Sequence, residues 1–424
     1  MDLQGIIIIL IFINGIIAIA FEHSLKINKS WIAIFTGSSM WIVLAIGQDP
    51  EAMNEAIQEG SQEIFGLIVF LIGAMTIVEM MAHFRFFTWI EAKLLKLKIS
   101  NRKLFWILGA ITFAASAVLD NLTSTLIMIQ IGRHLYIRKR NFNVFVINTV
   151  IAANAGGAMS PVGDVTTIMM WLEGKFTAWQ IVLHGFLPAV AAWAIPQAIL
   201  TSKIFYEDRD SREHKVIEPL KWNIILLGFT TFGFAIFVNL VHLPPFMGIL
   251  LGMGVAAIVI DFRMKKGSLK KKANKMVNVI KTIDMATIIF FIGILLAVHA
   301  LSFHGVLQQI AHVIFGENPA LDPGRIMVGH TILGLVSSVL DNVPLTAAVM
   351  EMLPDSIHYQ YWILLAVTAG TGGSVLIIGS AAGVAAMGQV PELSFKDYLV
   401  KGSIPALLGY FAAIGVWWLQ NLLF

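Results

Sequence analysis

Apolar runs of roughly 20 residues, the length of helix that crosses about 30 Å of hydrocarbon, recur along the whole chain and fix the solvent in which it folds. Hydrocarbon offers no hydrogen bonds, so every backbone N–H and C=O in such a run has to be satisfied within the chain, which a helix does by itself. The composition agrees: of 424 residues 57% are hydrophobic and 13% charged, far more apolar than a water-soluble domain. The expected fold class is an all-α polytopic membrane protein with no room for a soluble domain. Cysteine is absent, which excludes disulfides, thiol catalysis and thiolate metal sites. A formal charge of +3 is too small to point to nucleic acid, and Lys and Arg sit in short blocks beside apolar segments, where they report orientation in the lipid bilayer.

Ten candidate spans follow, near 3–21, 31–47, 64–83, 143–172, 180–203, 222–242, 246–262, 283–303, 359–388 and 401–423. The first lacks a basic leader and a small-residue cleavage site and reads as a span, not a signal peptide. Two further apolar segments, 104–132 and 325–353, are interrupted halfway by the polar pairs Asp120-Asn121 and Asp341-Asn342, which leaves halves too short to cross. The stretches Lys93 to Lys103, Arg133 to Arg140 and Arg263 to Lys281 are basic and expected in the cytoplasm. Within the last, Lys265, Lys266, Lys270, Lys271 and Lys272 read as a topology signal against anionic lipid. Gln48 to Glu63 carries five acidic residues and no basic one, and Phe303 to Pro323 has no Lys or Arg. Both are expected outside, as are both termini. Segment 104–132 is flanked by basic residues at both ends and is therefore expected to be a re-entrant hairpin from the cytoplasmic side; 325–353 enters from the opposite face.

The two halves match at an offset of about 220 residues. Ser116-Ala-Val-Leu-Asp-Asn-Leu-Thr aligns with Ser337-Ser-Val-Leu-Asp-Asn-Val-Pro, Gly156-Gly157 with Gly372-Gly373, and Gly163 with Gly379. The expected organisation is a first repeat over 1–205, a cytoplasmic linker over 206–221 and a second repeat over 222–424. Each repeat holds five spans and one hairpin, so the second lies upside down relative to the first, as in many secondary transporters with a midplane site.

An Asp within hydrocarbon is costly and is kept where it meets water, ions or partners. Asp120 and Asp341, with Asn121 and Asn342, are therefore candidate cation ligands, since a helix break exposes backbone oxygens that suit a hard monovalent cation. Each Asp can equally cap the second hairpin helix, with Thr123 or Thr346 nearby. The span after each hairpin has a glycine-rich interruption, Asn154 to Asp164 and Thr371 to Ser380, where Gly and Pro161 are expected to unwind the helix. Asn154, Ser160, Asp164, Thr166 and Thr167 add oxygens there, as do Thr371, Ser374 and Ser380 in the second half; close helix packing is the other reading of the glycines. Asp164 has no acidic counterpart, because Ser380 stands in its place. Glu79, His83 and His299 are candidates for proton relay or pH sensing, and read equally as interhelical hydrogen-bonding residues. Neither an enzyme's nucleophile nor a paired-His metal cluster is found, and no cofactor is expected.

The stretches Ser116 to Thr125, Asn154 to Thr167 and Ser338 to Thr346 resemble the NhaD-type sodium/proton antiporters of the wider ion transporter superfamily. The resemblance covers essentially the whole chain. It implies exchange of cytoplasmic Na⁺, and often Li⁺, for external H⁺ across a cell inner membrane, in two inverted repeats with opposed hairpins, and a homodimer. On the matched motifs Na⁺ is expected at Asp120, Asn121, Asn154 and Asp164. Relatives that carry dicarboxylates show Ser-Asn-Thr at the tips, whereas both tips here read Asp-Asn. The rival within the superfamily is export of arsenite or transport of an organic anion.

Overall fold

In the computed structural model, residues 2–47, 49–96, 99–206, 220, 222–264, 276–319 and 322–423 are described, and they are helical with no strand among them. The expected linker 206–221, apart from residues 206 and 220, and the basic run from Lys265 to Lys272 lie outside the described residues. Among the described residues seven helices are long and apolar enough to cross a membrane: Leu3–Ala20, Pro50–His83, Ala178–Thr201, Trp222–Leu240, Pro245–Phe262, Met285–Phe303 and Phe395–Leu422. They fall on seven of the ten expected spans. Of the other three, Lys29–Leu44 is one helix of 16 residues, which reaches only about 24 Å. Segments 143–172 and 359–388 each divide into two shorter helices. Pro50–His83 has 34 residues and starts well before the apolar run, capped by Asp49, which accepts from the Ala52 N–H at 3.2 Å, with Pro50 in the first turn. Glu51, Glu55, Glu59 and Glu63 lie on this early stretch, so charge marks where the apolar part begins and capping marks where the helix begins.

The helices gather into two compact units, each drawing on both halves of the chain: Met1–Lys96 with His214–His304, and Leu97–Glu213 with Gly305–Phe424. In the first unit Lys29–Leu44 lies against Met285–Phe303. A methyl on Gly37 would fall 2.4 Å from the Gly293 carbonyl oxygen, so the two backbones touch. Trp41 Nε1 donates to the Leu296 carbonyl at 2.9 Å and Ser30 Oγ to the Ala286 carbonyl at 2.6 Å. Lipid supplies no hydrophobic force between helices, and close approach with interhelical hydrogen bonds takes over that role.

The second unit contains two helix pairs and two broken helices. The first pair is Asn101–Ser116 with Asn121–Leu135, and the second is Pro323–Val336 with Asn342–Met352. The first broken helix runs as Lys139–Gly157 and Val165–Leu172, the second as Tyr359–Gly372 and Ala381–Gln389. Equivalent contacts recur in both. Ser116 Oγ donates to the Ala153 carbonyl at 2.6 Å and Ser337 Oγ to the Ala369 carbonyl at 2.9 Å. A methyl on Gly156 would sit 2.1 Å from the Phe113 carbonyl oxygen, and one on Gly372 1.8 Å from that of Gly334. The glycines therefore serve both expected purposes, since they pack the pair against the broken helix and adjoin the non-helical stretch.

The two sets are also cross-connected. Val165–Leu172 packs on Asn342–Met352, and Ala381–Gln389 packs on Asn121–Leu135. At the far end of Asn121–Leu135, Arg133 donates to the Gln389 carbonyl and Asn143 Nδ2 to that of Glu392 at 3.3 Å. Beyond Asn342–Met352, Asp355 pairs with Lys175, whose ammonium also lies over the Trp362 ring at 5.1 Å. Replacing Gly372 by Ala is expected to lower the thermal stability of the detergent-solubilised protein by about 2 kcal/mol or more, as overpacking against backbone does. Gly233→Ala, where a methyl meets nothing within 4 Å, is expected to leave it unchanged, and equal melting of the two variants would contradict the contact.

Candidate functional site

Four helix beginnings meet in the second unit, and each has its own cap. Asp120 precedes Asn121–Leu135 and accepts from the Thr123 N–H at 2.7 Å and from its hydroxyl at 2.6 Å. Asp341 precedes Asn342–Met352 and accepts from the Val343 N–H at 3.1 Å. Asp164 opens Val165–Leu172, taking the Thr166 N–H at 3.1 Å, with Thr167 Oγ1 closing a capping box by accepting from the Asp164 N–H at 3.3 Å and also donating to the Asp164 carbonyl at 2.8 Å. Ser380 opens Ala381–Gln389 and takes the Gly383 N–H at 3.2 Å. Side-chain oxygens at these positions satisfy amide groups that a helix start otherwise leaves without partners.

The residues just inside or between these caps join them. Asn121 Nδ2 donates to Asp164 Oδ2 at 2.6 Å and to Asn154 Oδ1 at 3.2 Å. From the other pair, Asn342 Nδ2 donates to the same Asp164 Oδ2 at 3.1 Å. Asn154 Nδ2 in turn donates to Ser374 Oγ and Ser380 Oγ, both at 2.9 Å. Asp164 is 1% exposed and Asn154 fully buried. One carboxylate is thus held by N–H groups from two equivalent asparagines and from its own helix, and among the described hydrogen bonds to it there is no Lys or Arg. A buried anion paired only with dipoles is costly in a low dielectric. Two states relieve the cost chemically, the neutral acid or a carboxylate bound to a small cation, with neutral amide and hydroxyl oxygens around it suiting a hard ion.

The sequence candidates divide on this geometry. Asn121, Asn154, Asp164, Asn342, Ser374 and Ser380 share one hydrogen-bonded network, and Thr166 and Thr167 fix the Asp164 end of it. Asp120 and Asp341 are partly exposed and cap their own helices, while remaining within electrostatic reach of Asp164. Ser160 Oγ accepts from the Val162 N–H in its own turn at 3.3 Å, and Thr371 Oγ1 donates to the Val367 carbonyl one turn back at 2.5 Å. Glu79, His83 and His299 belong to the other unit. There Glu79 Oε2 accepts from Thr282 Oγ1 at 3.3 Å, His299 Nε2 pairs with Glu63 Oε2 at 3.3 Å, and His83 is exposed. Glu79 and Glu63 are about 24 Å apart along their helix at 1.5 Å per residue, so Glu79 and His299 mark opposite ends of one helix pair. Sequence reasoning passed over the anchoring hydroxyls of Ser116 and Ser337. They open the repeated octapeptide, and their shared place in it was the available signal.

Removing an amide donor from the network should leave part of a buried carboxylate unsatisfied. Asn121→Ala and Asn342→Ala are each expected to lower the melting stability by about 1–3 kcal/mol, read by thermal unfolding in detergent. Ser160→Ala, which loses one local bond, should cost less than about 1 kcal/mol on the same scale. Equal effects would mean that the asparagines do not hold Asp164.

The family described as citrate transporter matches residues 9–370 of the chain. Sodium/proton antiporter 1 of Arabidopsis thaliana is 38% identical over 428 residues, covering 98% of this chain and 72% of the relative. The Na(+)/H(+) antiporter NhaD of Alkalimonas amylolytica is 32% identical, with 100% of this chain and 92% of the relative covered, and that of Vibrio cholerae 30%, with 97% and 91%. The matches to these relatives cover 97–100% of the chain and therefore extend over both halves, whereas the family match ends at residue 370. The chain belongs to the NhaD-type Na⁺/H⁺ antiporters, within the citrate transporter family.

Proposed function

We propose that this protein is a secondary transporter that exchanges cytoplasmic Na⁺, and Li⁺, for external H⁺ by alternating access, with Asp164 and Asp120 shared between the cation and the proton. The observation that carries the reading is the Asp164 carboxylate, fully enclosed and held by Asn121 and Asn342 without a basic side chain among its described partners. Such a group alternates between two neutralised states. With Na⁺ bound, its charge is met by the ion, and the oxygens of Asn121, Asn154, Ser374 and Ser380 are at hand to replace hydration; with a proton bound, the site is neutral and empty of cation. A carboxylate that accepts either partner and cannot hold both couples their movements in opposite directions.

The charge around the network favours a cation over an anion. Converging helix beginnings attract anions through their exposed N–H groups, but here Asp120, Asp164 and Asp341 already occupy three of the four. An arriving organic anion would meet three acidic caps. The family description as citrate transporter is the observation that keeps an organic-anion carrier as the second reading, and the assay below separates the two.

The path across the membrane rests on the repeats. In this reading residues 1–205 and 222–424 are inverted repeats joined by a cytoplasmic linker, and each helix pair is a re-entrant hairpin. The first enters from the basic, cytoplasmic side and the second from outside. Support comes from the cross-connections: the end of the first pair is tied to residues 389–392 and the end of the second to Lys175. In this reading Arg133 and residues 389–392 lie toward the cytoplasmic face, and Lys175 and Asp355 toward the outside. Glu79, His83 and His299 act in the other unit, as proton-relay or pH-responsive groups near its two ends. The protein works in the cell inner membrane as a homodimer, on the reasoning of the resemblance.

The test is dequenching of a pH-sensitive dye in proteoliposomes on adding NaCl, LiCl, KCl or citrate between pH 7 and pH 9. Na⁺- and Li⁺-driven proton movement is expected in the parent, with a loss of about 100-fold or more in Asp164→Asn and Asp120→Asn, whose isosteric side chains cannot exchange a proton in this range. Undiminished exchange in Asp164→Asn would remove the central claim. A response to citrate and to no cation would establish the organic-anion reading.

A further inference from the structure

Threonines inside these helices have a common habit. Thr112, Thr149, Thr368 and Thr371 each donate the hydroxyl to the carbonyl four residues back, at 2.7, 2.9, 2.9 and 2.5 Å. This is the ordinary way for such a hydroxyl to be satisfied away from water. Thr125 and Thr346 depart from it. Both are fully buried, and neither hydroxyl has a hydrogen-bond partner. Buried polar atoms without partners are uncommon, and each calls for a reason.

Their positions supply one. Thr125 lies four residues after Asn121, and Thr346 four after Asn342, so each shares the helix face of the asparagine that reaches Asp164 and sits about 6 Å further along the axis. They are equivalent residues of the two motifs. On the first of the helices Ser124 is buried beside Thr125 and is likewise without a partner. The buried stripe leaving Asp164 therefore begins with an amide and continues with a hydroxyl on both helices, before it turns apolar at Met128 and at Val349.

We propose that the hydroxyl oxygens of Thr125 and Thr346 are direct ligands of the partly dehydrated alkali cation, one on each side of Asp164, where they receive it as it enters or leaves the carboxylate. The inference rests on the cation reading above and extends its binding site by two residues. Water lost by the cation near Asp164 has to be replaced by oxygens along its whole way, or the step carries the full cost of dehydration. A hydroxyl that keeps its lone pairs and its proton uncommitted is suited to this, whereas one already donating to its own helix has to turn first. Because the two helices lead away from Asp164 in opposite directions across the membrane in the inverted-repeat reading, Thr125 serves the side of Leu135 and Thr346 the side of Met352.

The variants Thr125→Val and Thr346→Val remove the oxygen and keep the shape. The expected result is a half-saturating Na⁺ concentration raised about tenfold or more, with the rate at saturating Na⁺ within about threefold of the parent. The shift for each variant should be larger on its own side, read with vesicles of known orientation, and Thr125→Ser and Thr346→Ser should restore the parent value. A second readout excludes a structural role. Without Na⁺ the Val variants should melt at or above the parent temperature, because they lose an unsatisfied buried group, while the rise in melting temperature on adding Na⁺ should shrink. Val variants that keep the parent's Na⁺ dependence, or that melt lower without Na⁺, would overturn the assignment. A parent that shows no Na⁺- or Li⁺-driven proton movement would overturn the functional reading as well, and so the two failures are told apart.

Discussion

A carboxylate enclosed in protein is tolerable only if its surroundings are built for it, and the second unit is organised around meeting that demand at Asp164. Two asparagines from separate helix pairs reach it, a third, Asn154, ties the first of these, Asn121, to the opposite broken helix, and its own helix start supplies another N–H. Each of these groups needs a backbone that stops being helical at the right residue. The breaks at 158–164 and 373–380, with the turns before Asn121 and Asn342, are therefore consequences of the same requirement. In hydrocarbon such irregular backbone is permitted only where protein encloses it, and the buried surroundings of Asn154, Asp164 and Ser380 meet that condition.

The two halves solve the same packing problem and differ at one chemical point. Ser116 and Ser337, Gly156 and Gly372, and Asn121 and Asn342 do the same work on each side. Asp164 and Ser380 are both helix caps, yet only Asp164 ionises. A fully symmetric version with two acids would place two negative charges in one enclosed network, and they would repel each other while the medium does little to screen them. With a serine in the second position, Asn154 can direct both of its amide hydrogens to Ser374 and Ser380.

Much of this was legible from the sequence because the solvent is so demanding. Apolar runs located the long helices, and the exceptions have causes: Lys29–Leu44 is short, and Gly-rich stretches divide two others. The Asp-Asn pairs marked helix beginnings. What could not be read was the division of labour within a pair. Asp120 and Asp341 turn to their own helices, and the neighbouring asparagine makes the long-range bonds, because the cap and the first helical residue face different ways. Nor does periodicity tell which distant segments pack together, and the division into two units, each assembled from both halves, crosses the line drawn by the repeat. Thr125 was passed over, and Thr346 was placed only beside the Asp341 cap, for a similar reason. A threonine in an apolar helix gives no sign in sequence of whether its hydroxyl bonds to the turn behind it.

The exchange of partners between the halves, with Val165–Leu172 resting on Asn342–Met352 and Ala381–Gln389 on Asn121–Leu135, bears on how such a chain is made. During synthesis the first half is complete long before residue 342 leaves the ribosome, and its short helix Val165–Leu172 by then lacks the surfaces of Asn342–Met352 and Tyr359–Gly372 on which it packs. The second unit is therefore completed only when the second half arrives, and until then Asp164 has its first-half partners, Asn121 and its own helix start, but not Asn342.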